Sequence, residues 1–152
     1  EKMSKSIKRY CPGRSVGAII KNKTGEFLCL YRLKRPVGLA LLAGHIDKGE
    51  TPEQAIKREV LEEADLMVDK ANLMWSGSIE NECSRKDDDG FYYNCHEWWI
   101  YYIVEWRGEP KDMEPEKHKF IKFMTLQEMN KYKDQPVFDP AWIHILKALR
   151  IF

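Results

Sequence analysis

The sequence predicts an α+β fold in a single domain, residues 1–152. Strand-like segments surround one strongly marked helix, and a second helix closes the chain. Hydrophobic residues make up 43% and charged residues 32% of 152 residues, which is typical of one globular domain and excludes a disordered chain. The longest apolar runs, such as Trp98–Val104, are too short to span a bilayer, so no membrane partner is predicted.

The first third of the chain has strand patterns separated by turn residues. Ser15–Lys21 and Phe27–Leu33 are predicted as strands, and Thr24-Gly25 between them predicts a hairpin turn. Gly38–Ile46 is predicted as one further strand that leads into a loop.

The marked helix is predicted to begin at about Thr51 and to end near Asp65. Thr51 suits the N-cap, Pro52 suits the first helical position, and Gln54 completes a capping box. An apolar strip recurs at helical spacing and would anchor the helix to the core: Ile56, Val60 and Ala64.

The second half of the chain alternates between apolar and polar segments. Cys95–Trp106 is apolar on both alternating faces, which predicts a central strand covered on both sides. The other predicted elements are strands at Leu73–Glu80 and Phe120–Met124, polar loops at Ser84–Gly90 and Arg107–Glu116, a helical turn at Thr125–Lys131 and a closing helix at Pro140–Leu149.

Three carboxylates of the marked helix indicate a metal site. Glu59, Glu62 and Glu63 are spaced i, i+3 and i+4, so they share one helix face. Like charges at this spacing repel one another. A hard divalent cation such as Mg²⁺, which takes oxygen ligands, would remove that repulsion.

The segment around these carboxylates resembles the Nudix box, G-x5-E-x7-R-E-U-x-E-E-x-G-U, in which U is aliphatic. The residues in register are Gly44, Glu50, Arg58, Glu59, Val60, Glu62, Glu63 and Leu66. Asp65 stands where the family has glycine, and Leu42-Ala43 stands where many relatives have Pro-Gly. Asp tolerates the left-handed backbone expected at a helix end. A weaker match, Glu114–Lys117, resembles the EPEK segment of MutT-like members that cleave nucleoside triphosphates.

This resemblance implies an α/β/α sandwich with a mixed sheet, in which the box forms a loop–helix–loop. It implies hydrolysis of a nucleoside diphosphate linked to another group, with Mg²⁺ or Mn²⁺ as cofactor. A nucleoside triphosphate, an oxidised one included, would be cut to monophosphate and pyrophosphate. The alternatives are a nucleotide-sugar or dinucleotide pyrophosphatase, and a non-catalytic nucleotide sensor. A sensor would be expected to have lost box carboxylates, and none is lost here.

The resemblance also implies roles for individual residues. Glu59, Glu62 and Glu63 would be metal ligands, and one of them or a distal carboxylate would orient the attacking water. Arg58 stays protonated, so it would instead fix a box carboxylate in a bidentate pair, with Glu50 as the first candidate. Glu116 is the expected distal metal ligand, and three carboxylates compete with it for that role: Glu114, Glu80 and Glu82.

The expected partner is a small nucleotide. Tyr92 and Tyr93 lie beside the charged loop and are expected to stack on the base, whereas most of Trp98–Tyr102 is expected in the core. A net charge of +1 does not favour a nucleic-acid polymer. The oligomeric state stays open, with a homodimer among the alternatives.

The four cysteines are scattered without a C-x-x-C pair, which predicts reduced thiols in a cytoplasmic protein. The N-terminal residues contain no signal-peptide pattern. A zinc site that uses His96 beside Cys95 is disfavoured because no second ligand pair has the usual spacing. The other histidines are isolated, so each is interpreted as a surface or core residue: His45, His118 and His144.

Overall fold

The computed structural model describes residues 7–135 and 137–152, so the expectation about a signal peptide falls partly on residues outside this range. Seven strands and three helices are formed within it. In chain order they are β1 (Ser15–Ile19), β2 (Phe27–Arg32), β3 (Gly38–Ala40), β4 (Leu42–His45), α1 (Pro52–Ala64), β5 (Met67–Glu80), β6 (Cys95–Arg107), β7 (His118–Met124), α2 (Leu126–Lys133) and α3 (Pro140–Ala148). No helix of the described segments is long and apolar enough to cross a bilayer.

The strands form two sheets. The larger sheet has four strands in the order β4-β1-β6-β5, and the smaller has three in the order β3-β2-β7. The larger sheet is mixed, because β1 is parallel to β6 and antiparallel to β4. Strand β6 lies between β1 and β5, which confirms the prediction of a central strand. Trp98, Ile100 and Tyr101 of β6 are buried, as expected for core residues.

Helices α1 and α3 cover opposite faces of the larger sheet. Val16 pairs with Gly44, and Gly17 pairs with Ala43, so these two pairs point to opposite sides. A Cβ added at Gly44 would overlap a carboxylate of α1, whereas a Cβ added at Gly17 would lie 2.7 Å from the Trp142 ring of α3. The predicted α+β class and the α/β/α sandwich are therefore confirmed.

The predicted hairpin between the first two strands forms beside its turn, where the Leu28 amide also donates to the Ile20 carbonyl at 2.9 Å, but it does not extend further. The turn forms, with the Asn22 amide donating to the Glu26 carbonyl at 3.0 Å, and Lys21 forms an isolated bridge with Phe27. Beyond that bridge, β1 joins the larger sheet and β2 joins the smaller one. Turn residues report the reversal of the chain, but they do not determine which strands pair afterwards.

The predicted strand Gly38–Ile46 is extended as expected, but it is not a single strand, because it is divided at Leu41 into β3 and β4. The chain crosses here from the smaller sheet to the larger one. Leu39, Leu41 and Leu42 are all at most 1% exposed. A continuous apolar run can be buried in either sheet. Its pattern therefore does not show where the chain passes from one sheet to the other.

Helix α1 has the ends that the sequence predicts. The Gln54 amide donates to Thr51 Oγ1 at 3.1 Å, and the Thr51 amide donates to Gln54 Oε1 at 2.9 Å. Asp65 ends the helix in the left-handed conformation, with φ of 58°. The apolar strip of Ile56, Val60 and Ala64 is completely buried. Its burial turns the carboxylate side of the helix toward a cleft.

Candidate functional site

The carboxylates of α1 differ strongly in exposure. The Glu59 side chain is 14% exposed and the Glu62 side chain 54%, while Glu63 as a residue is 5% exposed. The helix therefore presents one solvated carboxylate and two that lie deep in the wall of the cleft.

Glu59 packs directly against the backbone of β4. A Cβ at position 44 would overlap the Glu59 carboxylate, so the present orientation of the Glu59 side chain requires glycine there. This contact explains the first position of the box: Gly44 lets the carboxylate lie against the strand.

Glu63 is held by β4 and by the loop before β7. Its Oε1 accepts a hydrogen bond from the Ala43 amide at 3.1 Å. Its Oε2 lies 3.9 Å from His118 Nε2. Oxygen or nitrogen atoms of Glu63, Glu114 and His118 all lie within 4.8 Å of one another, close enough to share one ion.

The loop at 109–117 reaches this cluster because it caps the end of α1. The Lys111 amide donates to the Ala64 carbonyl at 3.0 Å, and the Met113 amide donates to the Glu63 carbonyl at 3.2 Å. These are carbonyls that a helix end leaves without an intrahelical partner. Asp112 stabilises the next turn, accepting from the Glu114 amide and lying 3.0 Å from His118 Nδ1.

As a result, the structure brings Glu114 rather than Glu116 to the box carboxylates. Glu114 is half-buried and lines the cleft, whereas Glu116 is exposed and is not among the residues that line it. The sequence could not separate the two, because they are two residues apart in one loop. The contribution of His118 was missed entirely; its position at the start of β7 carries no local signal.

Arg58 connects the box loop to the carboxylate face. Its Nε and Nη2 donate to both oxygens of Glu50 at 2.8 and 2.9 Å, which is the bidentate pair expected from the sequence. Its Nη1 donates to Glu59 at 2.9 Å and to Glu62 at 3.2 Å. Its Nη2 also donates to the His45 carbonyl at 2.9 Å. One guanidinium thus fixes the loop, the end of β4 and two carboxylates.

Burial makes the inner carboxyls harder to ionise. It raises the pKa of Glu59 to about 7, although Arg58 acts in the opposite direction. Burial, with the neighbouring Glu59 and Glu114, also holds the pKa of Glu63 well above its usual range. Several carboxylates in so small a volume are a donor set of hard oxygens, which fits a divalent cation such as Mg²⁺ or Mn²⁺.

The cleft has a volume of about 440 Å³ and is lined by both acidic and basic side chains. Glu59, Glu62, Glu63 and Glu114 are among the acidic ones, and Lys117 lies 2.7 Å from Glu114. Five basic residues also line the cleft and are suited to phosphate groups: Arg32, Lys34, Arg35, Arg85 and Lys117. Carboxylates and basic side chains in one cleft fit a polyphosphate bound through metal ions and protein cations together.

The two predicted substrate-binding tyrosines are placed differently. Tyr92 is 40% exposed and lines the cleft. Arg35 lies 4.2 Å and Lys86 4.9 Å from the centroid of its ring. Tyr93 is half-buried and lines a separate depression beside Lys8 and Pro140. Only Tyr92 is therefore in a position to meet a ligand in the cleft.

Fold and site together define a class of protein: a domain that presents a helix rich in carboxylates to a cleft that basic side chains also line. The chain matches the NUDIX domain family over residues 12–144, so it belongs to that family.

Known relatives agree with this assignment. An 8-oxo-dGTP diphosphatase of Haemophilus influenzae is 32% identical over 95 residues, which cover 60% of this chain and 62% of that protein. The match therefore spans less than two thirds of the relative.

Solved structures share the fold. A MutT structure from work on Aliivibrio salmonicida and Vibrio cholerae superposes with a TM-score of 0.67 at 18% identity, covering 90% of this chain and 95% of that one. A C. elegans Ap4A hydrolase complex superposes with a TM-score of 0.60 at 21% identity, covering 91% and 93%.

Proposed function

We propose that this chain is a pyrophosphohydrolase that uses Mg²⁺ or Mn²⁺ to cut a nucleoside triphosphate into monophosphate and pyrophosphate. The observation that carries this proposal is that box carboxylates and basic side chains line one and the same cleft. The name of the H. influenzae relative supports an oxidised purine triphosphate as the first substrate to test.

Glu59, Glu62 and Glu63 would hold the cations, with Glu114 in the place first expected for Glu116. A bound cation neutralises phosphate charge and lowers the pKa of water. One carboxylate of this set would accept the proton of the attacking water. The basic side chains would hold the remaining phosphate charge while water breaks the phosphoanhydride link between the α- and β-phosphates.

Arg58 and Glu50 have a positioning role in this proposal. The Arg58 guanidinium donates to Glu59 and Glu62 through Nη1. It also donates to both oxygens of Glu50 through Nε and Nη2. A planar fork gives each carboxylate one orientation, which lysine could not reproduce. The two residues would therefore set the geometry of the metal ligands without touching the substrate.

The alternative substrates are a nucleotide sugar or a dinucleotide. The likeness to the Ap4A hydrolase concerns the fold alone and does not favour a dinucleotide. A non-catalytic sensor is the remaining alternative, and it is disfavoured because every box carboxylate is present and placed in the cleft or beside it. The free thiols of all four cysteines suit the reducing cytoplasm, which we propose as the site of action.

A substrate panel tests the proposal directly. Purified protein with Mg²⁺ would be incubated with ordinary and oxidised nucleoside triphosphates, dinucleotides and nucleotide sugars, and phosphate and pyrophosphate would be measured separately. Release of pyrophosphate from a triphosphate, abolished by EDTA, is the expected result. Binding of nucleotides without any turnover would instead favour the sensor.

Base stacking on Tyr92 has a matched control in the neighbouring residue. Tyr92→Ala should raise the Michaelis constant for the best triphosphate and leave cleavage of inorganic triphosphate unchanged. Stacking of a base on an aromatic ring is worth ~1–3 kcal/mol in single-strand binders. Tyr93→Ala should have little effect, since Tyr93 lies outside the cleft. Equal constants in wild type and Tyr92→Ala would exclude stacking there.

A further inference from the structure

Two cysteines and two histidines meet on the face of the larger sheet opposite the box carboxylates. One ligand atom from each of Cys11, His45, Cys83 and His96 lies within 4.8 Å of all the others. Cys11 Sγ is 3.6 Å from His45 Nε2 and 4.0 Å from Cys83 Sγ. Cys83 is 2% and His96 3% exposed, while His45 is half-buried.

These separations match the edges of a zinc tetrahedron. Zn–S bonds of about 2.3 Å and Zn–N bonds of about 2.0 Å at tetrahedral angles place two sulfurs about 3.8 Å apart and a sulfur and a nitrogen about 3.5 Å apart. The observed 4.0 and 3.6 Å lie close to both values. Four inward-facing donors would complete the coordination shell and leave no open position, as in structural zinc sites.

The orientation of His96 suits a ligand. Its Nδ1 lies 2.9 Å from Asn81 Oδ1, which also accepts from the indole N–H of Trp98 at 3.3 Å. The Asn81 amide nitrogen donates to the Glu82 carbonyl at 2.9 Å, so the oxygen is the atom that faces the two rings. An oxygen acceptor requires the proton on Nδ1 of His96. Its Nε2 then carries the free lone pair, the arrangement common for metal-binding histidines.

The backbone around the cysteines fixes the position of their sulfur atoms. The Arg85 amide donates to Cys83 Sγ at 3.4 Å, which orients this sulfur. Gly13 allows the Cys11 segment to approach closely, because a Cβ there would lie 2.9 Å from the His45 ring and 2.7 Å from the Arg85 guanidinium.

We propose that Cys11, His45, Cys83 and His96 bind a structural Zn²⁺ ion. The ion would tie together the segment before β1, the end of β4, the loop after β5 and the start of β6. His45 directly follows the box glycine, and its carbonyl accepts from Arg58, so the ion would also hold the strand that supports the carboxylate face. The mixed thiolate and imidazole donors select zinc over the hard cations that suit the opposite face.

Metal content and cobalt substitution test the site in the whole protein. Zinc would be quantified in untagged protein. The protein would then be stripped with a chelator under reducing conditions and titrated with Co²⁺ in the absence of nucleotide. The expected result is about one Zn²⁺ per chain and, with Co²⁺, the intense visible bands and thiolate charge-transfer absorption of a tetrahedral site. The proposal is overturned if stripped wild-type protein takes up Co²⁺ without showing these bands. This holds whether the cysteines are then found as a disulfide or as thiols.

Matched cysteine variants locate the ion. Cys83→Ala should lose the zinc and the thermal stabilisation that zinc gives to stripped protein. Cys95→Ala and Cys29→Ala remove other buried thiols and should keep both. Undiminished zinc in folded Cys83→Ala contradicts the assignment. If Cys83→Ala does not fold, the wild-type cobalt spectrum still decides.

This inference does not rest on the proposed hydrolase activity. Zinc bound at the thiolates should persist in a Glu63→Gln protein, whose changed carboxylate lies on the other face of the sheet. A protein without turnover that still shows the cobalt spectrum would remove the proposed function and keep the zinc site.

Discussion

Two clusters of potential ligands lie on opposite faces of one sheet and differ in how the chain builds them. The carboxylate cluster comes mainly from α1, a continuous helix of 13 residues. The cysteine and histidine cluster comes from four separate segments between Cys11 and His96. The clusters meet at β4, where Gly44 faces α1 and His45, one residue later, faces the other way.

The comparison shows that one short strand can serve two sites of different chemistry. Because side chains alternate along a strand, two adjacent residues point to opposite faces of the sheet and so reach two separate environments. Hard carboxylate oxygens face the cleft, and soft cysteine sulfurs with imidazoles lie on the other face of the sheet. The substitutions below test the carboxylate face and the helix α1 that carries it.

The largest expected effect follows from Glu63→Gln. The amide keeps the volume of the side chain but loses the charge of a proposed metal ligand. Turnover should fall by at least ~10²-fold, the scale of losing a positioned catalytic group. The measurement is Mg²⁺-dependent pyrophosphate release, with Glu53→Gln in the first turn of α1 as the control. Wild-type rates in folded Glu63→Gln would remove the assignment of this carboxylate.

Gly44→Ala tests the contact between β4 and α1. The added methyl group would overlap the Glu59 carboxylate, so either the strand or the side chain must move. Overpacking of this kind typically lowers the free energy of unfolding by ~1–3 kcal/mol. A denaturant series measures the loss, and a Glu59→Ala background should relieve much of it. An equal loss in both backgrounds would mean that the strain arises elsewhere.

Magnesium binding should depend on pH through the inner carboxyls. The pKa of Glu59 is raised from its ordinary 4.5 to about 7, so metal-free folded protein binds a proton more tightly than the unfolded chain. This group's contribution is fully present below about pH 4.5 and is lost as the pH rises through about 7, so metal-free stability falls over that range.

Mg²⁺ binds the ionised carboxylate. The rise in melting temperature that Mg²⁺ causes should therefore be small near about pH 5 and larger near about pH 8. Thermal melts with and without Mg²⁺ measure it, and Glu59→Gln should weaken the pH dependence. Any zinc at the thiolates would be kept bound throughout. A stabilisation independent of pH in wild type would contradict the role of the buried carboxyls.

The smallest effect is expected at the end of α1. Asp65 has φ of 58°, a conformation that costs glycine least, so Asp65→Gly should be neutral or stabilising by up to ~1 kcal/mol. Asp65→Ala, which keeps a Cβ without a polar group, should be destabilising. Thermal melts of the two variants measure the difference. Clear destabilisation by glycine would reveal a specific interaction of the aspartate.

The sequence by itself determined helix α1, both of its ends and the set of glutamates on one face. These features depend on residues within a few positions of each other. The capping box of Thr51 and Gln54 and the left-handed Asp65 are local in this sense, and the structure shows all three. The bidentate pair of Arg58 and Glu50, although eight positions apart, was accessible through the family motif.

Only the tertiary structure decided which distant residues complete each cluster. The choice of Glu114 over Glu116 depends on how one loop caps α1, and the split at Leu41 depends on which sheet each strand joins. Cys11, Cys83 and His96 meet His45 because strand pairing brings together segments that are far apart in sequence. These four residues lie in separate segments and follow no regular spacing in the sequence. Their spacing therefore did not indicate a zinc site.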